Sequence, residues 1–164
     1  PDVRVIMLHG YPVMAMLRVA TRQSDGRANL HQGAIGIGID LTTGRTMHAV
    51  HHGVSVTRHP DLDTDLLGLY IPGWDQLLEM ATKGYEMTGL GYLGADLIVD
   101  EARGPVIIEL NARPGLAIQL ANATGLRHRL EKIQQQALAH RGVNWSDRIK
   151  FSIAAFGSKA LVKV

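Results

Sequence analysis

Acidic side chains alternate with apolar ones in residues 94–119, which read as two strands joined by a polar turn at residues 100–104. If residues 101 and 104 face each other across that turn, Asp96 lies directly opposite Glu109. Like charges placed opposite each other destabilise paired strands, so this pair favours a bound cation. Asn111 adds a neutral oxygen on the same face, and oxygen ligands of this kind suit Mg²⁺ or Mn²⁺. A solvated sheet face, where carboxylates are common, is the alternative.

The same register divides the other side chains of this hairpin between two faces. Asp100, Ile98 and Ile107 fall on the face of the acidic residues. The opposite face is wholly apolar and holds Ala95, Leu97, Val99, Val106, Ile108 and Leu110. We therefore expect one face to pack into a core and the other to carry the chemistry.

A polar loop at residues 24–33 is a second candidate, because Arg27 and the backbone N–H groups around it are able to wrap phosphate oxygens. An ordinary connection between strands is the alternative. The loop leads into a strand at residues 34–41, where Gly36 and Gly38 indicate close approach of a ligand or another backbone. The pair is not a dinucleotide fingerprint, because the third glycine is missing and no helix follows.

Several other charged and titratable residues stand out by position. Arg4 and Arg18 interrupt apolar strands, and each needs a charged partner unless it faces outward at a hairpin edge. Four histidines crowd one stretch with a spacing that fits no zinc pattern, which favours surface or loop positions for His48, His51, His52 and His59. No serine lies in a nucleophile elbow, so a catalytic triad is not indicated.

The strands come in hairpins, which predicts an α+β fold with an antiparallel sheet flanked by helices. Residues 3–8 and 13–20 read as one hairpin, residues 45–50 as a short strand, and residues 51–65 as a loop. Helices are predicted at residues 73–88, 116–122 and 125–140, with Thr124 as the N-cap of the last, and Ser146 is predicted to cap a short final segment. We divide the chain into a main unit, residues 1–142, and a C-terminal segment, residues 143–164.

The composition is that of an ordinary globular protein, with 46% hydrophobic and 20% charged residues among 164. A net charge of +2 does not indicate nucleic acid as a partner. The absence of cysteine excludes disulfides, zinc–thiolate sites and cysteine nucleophiles. No apolar run is long enough for a bilayer and no signal peptide opens the chain, so we expect a cytoplasmic protein without a membrane partner. Because the chain begins inside a strand with Pro1, we expect a fragment of something longer.

Together, these segments resemble the C-terminal half of the RimK-type alpha-L-glutamate ligases, an ATP-grasp family, over roughly residues 2–122. The family's Asp-x-Arg-x-x-Val-x-Gly strand is matched by residues 2–10, with one extra residue before the glycine. Its Arg-x-Asn-Leu-His-x-Gly-Gly loop is matched by residues 27–34. Its Gly-x-Asp strand and Glu-x-Asn-x-x-Pro-Gly strand end are matched by residues 94–96 and 109–115. The resemblance implies the C-terminal subdomain of an ATP-grasp fold.

The resemblance also implies a ligand set. Asp96, Glu109 and Asn111 would hold the Mg²⁺ (or Mn²⁺) ions that bridge the phosphates of ATP. Asp2 would bond the ribose hydroxyls of the same nucleotide. The implied cofactors are therefore ATP and a divalent cation.

The same resemblance implies how the phosphates are handled. Arg27, Ala28 and Asn29 would contact the triphosphate, and Arg4 would face the phosphate or an acyl-phosphate intermediate. In the implied reaction, a carboxylate attacks the γ-phosphoryl group of ATP, which gives an acyl phosphate and releases ADP, and an amine then displaces phosphate to form an amide. Catalysis depends on positioning and charge neutralisation, with Arg4 and Arg27 as the implied catalytic residues.

The sequence leaves the function, the substrate and the oligomeric state open. The chain is either part of a ligase, with an amino acid or a peptide as substrate, or a non-catalytic or truncated ATP-grasp module that serves binding or assembly. A ligase with a sugar- or peptide-linked substrate is a further alternative, and a homo-oligomer is possible. The family's first half, with its phosphate-binding lysines, has no counterpart in the sequence. We therefore expect the chain alone to bind Mg·ATP weakly or not at all.

Overall fold

The computed structural model describes residues 1–140 and 142–158, and its α+β architecture confirms the predicted fold class. Seven strands form one antiparallel sheet in the order β5-β4-β3-β2-β1-β6-β7. The strands are β1 (Asp2–Leu8), β2 (Tyr11–Val19), β3 (Ile35–Ile39), β4 (Thr46–His51), β5 (Val54–Val56), β6 (Tyr92–Asp100) and β7 (Gly104–Asn111). Four α-helices lie within the described residues: α1 (Trp74–Thr88), α2 (Ile118–Ala121), α3 (Arg127–Ala139) and α4 (Trp145–Phe156). None of these helices is long and apolar enough to cross a membrane.

The central hairpin, β1–β2, turns at two residues with positive φ, His9 at 47° and Gly10 at 80°. Two such residues form the type of turn whose twist matches that of antiparallel strands. Pro12 lies where the β1–β2 register shifts, a position at which a missing backbone N–H is tolerated. The strand alternation then points Asp2 and Arg4 to one face and Val3 to the other.

The two faces of the sheet differ in what covers them. On one, which we call the α1 face, the apolar stripe of α1 packs on strand residues such as Val3, Val5 and Leu97. The other, the site face, is covered by α2 and α3 over Ile6 and Met14, close to the β1–β2 turn. Each fully buried aliphatic side chain of this kind stabilises the fold by roughly 1.5–3 kcal/mol. Toward the start of β1, the side chains on the site face are charged instead of apolar.

The glycines of β3 allow close approach of another part of the chain to the site face. A Cβ atom at Gly38 would lie 2.5 Å from the backbone oxygen of Ala121, and one at Gly36 would lie 2.6 Å from Leu30 Cδ2. Asn122 is anchored there as well, donating from Nδ2 to the Ala15 carbonyl at 3.0 Å. Of the two explanations for bare glycines, contact with the chain itself is the one observed.

The predicted turn of the acidic hairpin was off by one residue, and a bulge restores the pairing. Asp100 pairs with Gly104 and Leu97 with Ile107, whereas Asp96 still pairs with Glu109, because the register shifts between Asp96 and Leu97. The predicted faces of Val106 and Ile107 were therefore wrong, since Val106 pairs with Ile98 and Ile107 with Leu97, and Ile108 is the extra residue of the bulge. Ile107 packs against the core on the α1 face, and Ile108 is 53% exposed.

Three local predictions also need correction. The stretch predicted as loop between residues 51 and 65 contains β5. The residue before α3 is Leu126, not Thr124, and Leu126 N donates to Gln119 Oε1 at 2.8 Å. Helix α4 is capped by Asn144, whose side chain accepts from Asp147 N, and not by Ser146.

Helix α4 packs against α1 and β2, and its apolar residues Ile149 and Ile153 contact the core of the α1 face. Its C-terminal end is tied to the sheet by Asp40, which accepts a 2.7 Å hydrogen bond from Ser158 N. Burial acts to raise the pKa of Asp40, but bonds from Ser158 and Thr43 outweigh it and lower the pKa. The division between residues 1–142 and 143–164 stays a prediction, and residues 159–164 lie outside the described part.

Candidate metal and phosphate site

Four charged side chains meet on the site face at the start of β1, and we call them the charge cluster: Asp2, Arg4, Arg18 and Asp96. The strand register brings them together. Asp2 lies opposite Arg18 across β1–β2, and Arg4 lies opposite Asp96 across β1–β6. Both are cross-strand pairs of opposite charge, an arrangement that stabilises antiparallel strands. Both arginines thus have the charged partners that their positions in apolar strands required.

Asp96 accepts three side-chain hydrogen bonds from the two arginines. Its Oδ1 accepts from Arg4 Nε at 2.7 Å. Its Oδ2 accepts from Arg4 Nη2 at 2.6 Å and from Arg18 Nη2 at 2.9 Å. Arg18 also grips Asp2, donating from Nε to Oδ1 at 2.8 Å and from Nη2 to Oδ2. The guanidinium of Arg18 therefore bridges two carboxylates.

The cluster is nearly shielded from water. The side chain of Asp96 is 2% exposed, and those of Arg4 and Arg18 are 14% and 12% exposed. Burial alone would lower the pKa of Arg18, but hydrogen bonds and charge from Asp2 and Asp96 outweigh it and raise the pKa. Removing one member of a buried ion pair leaves the other unpaired, which typically costs more than the intact pair contributes.

Glu109 and Asn111 lie beside the cluster on β7. Glu109 pairs directly with Asp96 and is exposed, and Asn111 pairs with Gly94 and is partly buried. No side-chain hydrogen bond or ion pair of Glu109 or Asn111 occurs within residues 1–140 and 142–158, so their oxygens point to no protein donor there. Likewise, the described part of the chain contains no group of three His, Cys, Asp or Glu side chains able to hold a metal. The donor set that could hold one is thus two carboxylates and an amide.

This set fits a hard divalent cation by its chemistry. All three side chains offer oxygen, and two are anionic, as Mg²⁺ and Mn²⁺ prefer. A carboxylate has about four acceptor positions, and three of those on Asp96 are occupied by guanidinium donors. The metal roles predicted for Asp96, Glu109 and Asn111 remain predictions, because the observed hydrogen-bond partners of the Asp96 carboxylate are Arg4 and Arg18.

The segment after β7 folds back over β6. A Cβ atom at Gly94 would lie 2.6 Å from Pro114 Cβ, so only glycine lets this segment approach. Tyr92 Oη donates to the Pro114 carbonyl at 3.2 Å, and burial raises the pKa of Tyr92. The contact fixes the chain just beyond Asn111. Within this segment Arg113 is exposed.

The candidate phosphate loop leaves the sheet after β2, the strand that carries Arg18. Its base is closed by Thr21, whose Oγ1 donates to the Gly33 carbonyl at 2.8 Å. Arg27 and Asn29 are exposed and Ala28 is partly buried. Asn29 Oδ1 accepts from His31 N at 3.0 Å and so caps a single 3-10 turn. No hydrogen bond in the described residues joins Arg27 to the charge cluster, so the triphosphate roles of this loop stay predictions.

Three of the four crowded histidines contact the connection between β2 and β3, residues 20–34, which contains this loop. His51 Nε2 lies 3.0 Å from the Gly33 carbonyl, His52 Nε2 lies 2.8 Å from Gln23 Oε1, and His59 Nε2 lies 3.1 Å from the Ala20 carbonyl. The fourth, His48, lies 3.2 Å from the carbonyl of Ala121. These histidines therefore hold a loop and a helix in place. His52 is exposed and His59, although buried, lies outside the strands and helices, as predicted, whereas His48 and His51 are partly buried within β4, so the surface or loop position predicted for those two was wrong.

Replacing His59 with alanine is expected to loosen the loop. His59 is 4% exposed, and Asp61 N donates to its Nδ1 at 3.2 Å, so its Nε2 must carry the proton given to Ala20. We expect faster amide exchange across residues 21–33 and a free energy of unfolding lower by about 1–2 kcal/mol. The matched control is His52→Ala, which removes an exposed contact and should change stability by less than about 0.5 kcal/mol. Equal effects of the two changes would contradict this role.

A family model places the chain among known proteins. The model described as sugar-transfer associated ATP-grasp matches residues 1–135, which is most of the chain. The chain belongs to the sugar-transfer associated ATP-grasp family. The predicted ATP-grasp membership is thereby confirmed, and the matched range contains the charge cluster, β7 and the candidate phosphate loop.

A curated relative of this ATP-grasp chain carries a ligase name. It is a probable alpha-L-glutamate ligase of Thioalkalivibrio sulfidiphilus, 29% identical over 142 residues that make up 85% of the chain. The matched part is 36% of the relative, so the chain spans about a third of the length of that protein. The relative agrees with the resemblance to glutamate ligases at the level of the ATP-grasp family.

Arg18 is the site residue that sequence reasoning failed to assign. The sequence predicts that this charge needs a partner, but it indicates no role for Arg18 in nucleotide or metal binding. The available signal was its position on the strand that follows Asp2 in the predicted hairpin. With the observed turn, the spacing between the two residues places Arg18 directly opposite Asp2. Its contact with Asp96 depends on the pairing of β1 with β6, which the alternation of residues does not specify.

Proposed function

We propose that this chain is the C-terminal part of an ATP-dependent carboxylate–amine ligase that forms ADP. The observation that carries the proposal is the oxygen set of Asp96, Glu109 and Asn111 beside two partly buried arginines on one sheet face. Bound Mg²⁺ or Mn²⁺ would supply charge neutralisation at the ATP phosphates. An ATP-grasp family model and a relative named as a ligase support the same activity.

In this proposal the chain's own residues bind the cation, orient the nucleotide and neutralise the charge of its phosphates. Glu109 and Asn111 offer unpaired oxygens to a cation at the edge of the cluster. Arg4 is fixed by two bonds to Asp96, and in this orientation its charge would face the reacting phosphoryl group. Arg27, on the exposed loop, would close over the triphosphate, where charge-assisted hydrogen bonds are strong. Asp2 would contribute its carboxylate to the ribose hydroxyls.

The second wall of the nucleotide site would come from another part of the ligase. The chain covers about a third of its relative, and we propose that the missing portion supplies the adenine side and the phosphate-binding lysines. Alone, the chain should therefore bind Mg·ATP weakly, and calorimetry should give a dissociation constant far above the micromolar range. Submicromolar affinity would contradict this division of the site.

The substrate of the ligase has two candidate classes. The glutamate ligase relative favours an amino-acid or peptide acceptor. The family description, sugar-transfer associated, favours a carboxylate or amine carried on a sugar-linked molecule. We retain the amino-acid or peptide acceptor as the main proposal and the sugar-linked substrate as its alternative. A non-catalytic binding or assembly role is the proposal that an absence of ligase activity would support.

ADP release by the whole ligase tests the proposal. It is measured with a panel of amino acids, peptides and amino sugars, beside a variant that combines Asp96→Ala with Glu109→Ala. We expect ADP release that depends on one acceptor class and falls by at least about a hundredfold in the variant. Unchanged ADP release in the variant would overturn the metal assignment, and no release with any acceptor would favour the non-catalytic module.

A further inference from the structure

Arg18 is held unequally by its two carboxylate partners. It makes two hydrogen bonds to Asp2, from Nε and from Nη2, but only one to Asp96, from Nη2. Asp2 lies directly opposite Arg18 on the neighbouring strand. Asp96 is on β6, so the contact reaches across β1, a span of about two strand spacings, roughly 9–10 Å. The contact with Asp96 is therefore the weaker half of the bridge.

The contact with Asp96 also stands in the way of a cation. Asp96 Oδ2 already accepts from both Arg4 and Arg18. A divalent cation between Asp96 and Glu109 would lie next to the guanidinium of Arg18 and be repelled by it. If Arg18 withdraws, one acceptor position on Oδ2 is freed while Arg4 keeps both of its bonds.

Withdrawal leaves no buried charge unpaired. Arg18 would remain neutralised by Asp2 through two hydrogen bonds, and Asp96 would exchange one guanidinium contact for a cation. Withdrawal of Arg4 instead would break two bonds to Asp96 and leave its guanidinium without a carboxylate within the described residues. The lower cost therefore falls on the Arg18–Asp96 contact.

We propose that Arg18 is a positioning residue that competes with the divalent cation for Asp96, and that cation binding breaks the Arg18–Asp96 contact while the Arg18–Asp2 pair stays intact. The proposal rests on the metal site of the proposed function and adds the residue that tunes its affinity. Asp2 acts in it by holding Arg18 away from Asp96. The strength of the Asp2–Arg18 pair thus sets how readily the cation enters.

A double-mutant cycle with Mn²⁺ alone, followed by electron paramagnetic resonance, tests the proposal without any turnover. Arg18→Met removes the competitor and is expected to tighten Mn²⁺ binding about tenfold. Asp2→Asn weakens the Asp2–Arg18 pair and so strengthens the contact between Arg18 and Asp96. It is expected to weaken Mn²⁺ binding about threefold. In the double variant, which conserves net charge, the Asp2→Asn effect should fall to less than half.

Each outcome of the cycle supports or overturns the proposal. An Arg18→Met variant that binds Mn²⁺ no more tightly overturns it, as does an Asp2→Asn effect that is undiminished without Arg18. The proposed metal site survives a failure of the Arg18 proposal if the wild-type chain binds Mn²⁺ and the Glu109→Ala variant does not. No Mn²⁺ binding by the wild type would remove the metal site and this inference together.

A crystal structure of the unaltered chain with Mn²⁺ is the second measurement, and it holds even if a variant fails to fold. We expect Arg18 Nη2 to lie more than about 3.5 Å from Asp96 Oδ2 while both bonds to Asp2 persist. Mn²⁺ bound through Asp96 Oδ1, with the Arg18–Asp96 contact unchanged, would overturn the proposal.

Discussion

Replacing Asp96 with alanine is expected to lower the free energy of unfolding by about 3 kcal/mol, because two nearly buried guanidiniums lose their shared acceptor. Arg4 would lose both of its side-chain hydrogen bonds, and Arg18 would keep only Asp2. The side chain of Asp96 is 2% exposed, so water replaces little of what is lost. Urea unfolding, followed by circular dichroism, measures the change, and the same variant should no longer bind Mn²⁺.

Glu109→Ala is the matched control for Asp96→Ala. Glu109 lies directly opposite Asp96 but is exposed and has no ion pair in the described part of the chain. Its removal should change the free energy of unfolding by less than about 0.5 kcal/mol. Mn²⁺ binding should still be lost. If Glu109→Ala destabilised the chain as strongly as Asp96→Ala, the separate roles assigned to the two carboxylates would be wrong.

Gly38→Ala is expected to destabilise the chain by about 2–3 kcal/mol, because the new methyl group has no room. Its Cβ would lie 2.5 Å from the Ala121 backbone oxygen and 2.9 Å from Asn122 Cα. Backbone atoms yield less readily than a flexible side chain, so α2 would have to move away from the sheet. Thermal unfolding measures the loss, and exposure of α2 should appear as faster amide exchange in residues 118–123.

The control for Gly38→Ala is Gly125→Ala, which lies outside the regular elements. A Cβ atom there would have Gln119 Oε1 as its nearest neighbour, at 3.8 Å, and the backbone φ is not in the left-handed region. Such a change should alter stability by less than about 1 kcal/mol and could raise it slightly. A Gly38→Ala variant as stable as Gly125→Ala would contradict the close packing of α2.

The acidic hairpin shows what the sequence specifies about this fold. The alternation of residues placed Asp96 opposite Glu109, and the structure confirms that pairing. The turn was off by one residue, and a bulge at Ile108 compensated, since burial requires Ile107 and Leu97 to share the α1 face. Local pattern therefore predicts which residues must share a face, but not the irregularity by which the chain brings them there.

The partner of the acidic pair was beyond prediction from pattern alone. Like charges at Asp96 and Glu109 indicated a cation, and the cations observed beside Asp96 are Arg4 and Arg18. Arg4 and Asp96 are 92 residues apart in the sequence, and their contact depends on which strands become neighbours. The alternation of residues predicts which side chains of a strand share a face, but it does not predict the order of the strands in the sheet. The bridging role of Arg18 followed only from the observed order β2-β1-β6.

Line broadening of backbone amide signals by Mn²⁺·ATP tests the central claim most directly, because it locates even a weakly bound nucleotide on the unaltered chain. We predict that the amides of Asp96, Glu109 and Asn111 broaden first, followed by those of residues 27–29, whereas α3 and β5 stay sharp. Glu109→Ala should abolish this pattern. No broadening at millimolar Mn²⁺·ATP, or broadening that begins elsewhere, would contradict the assignment of this sheet face as the nucleotide site.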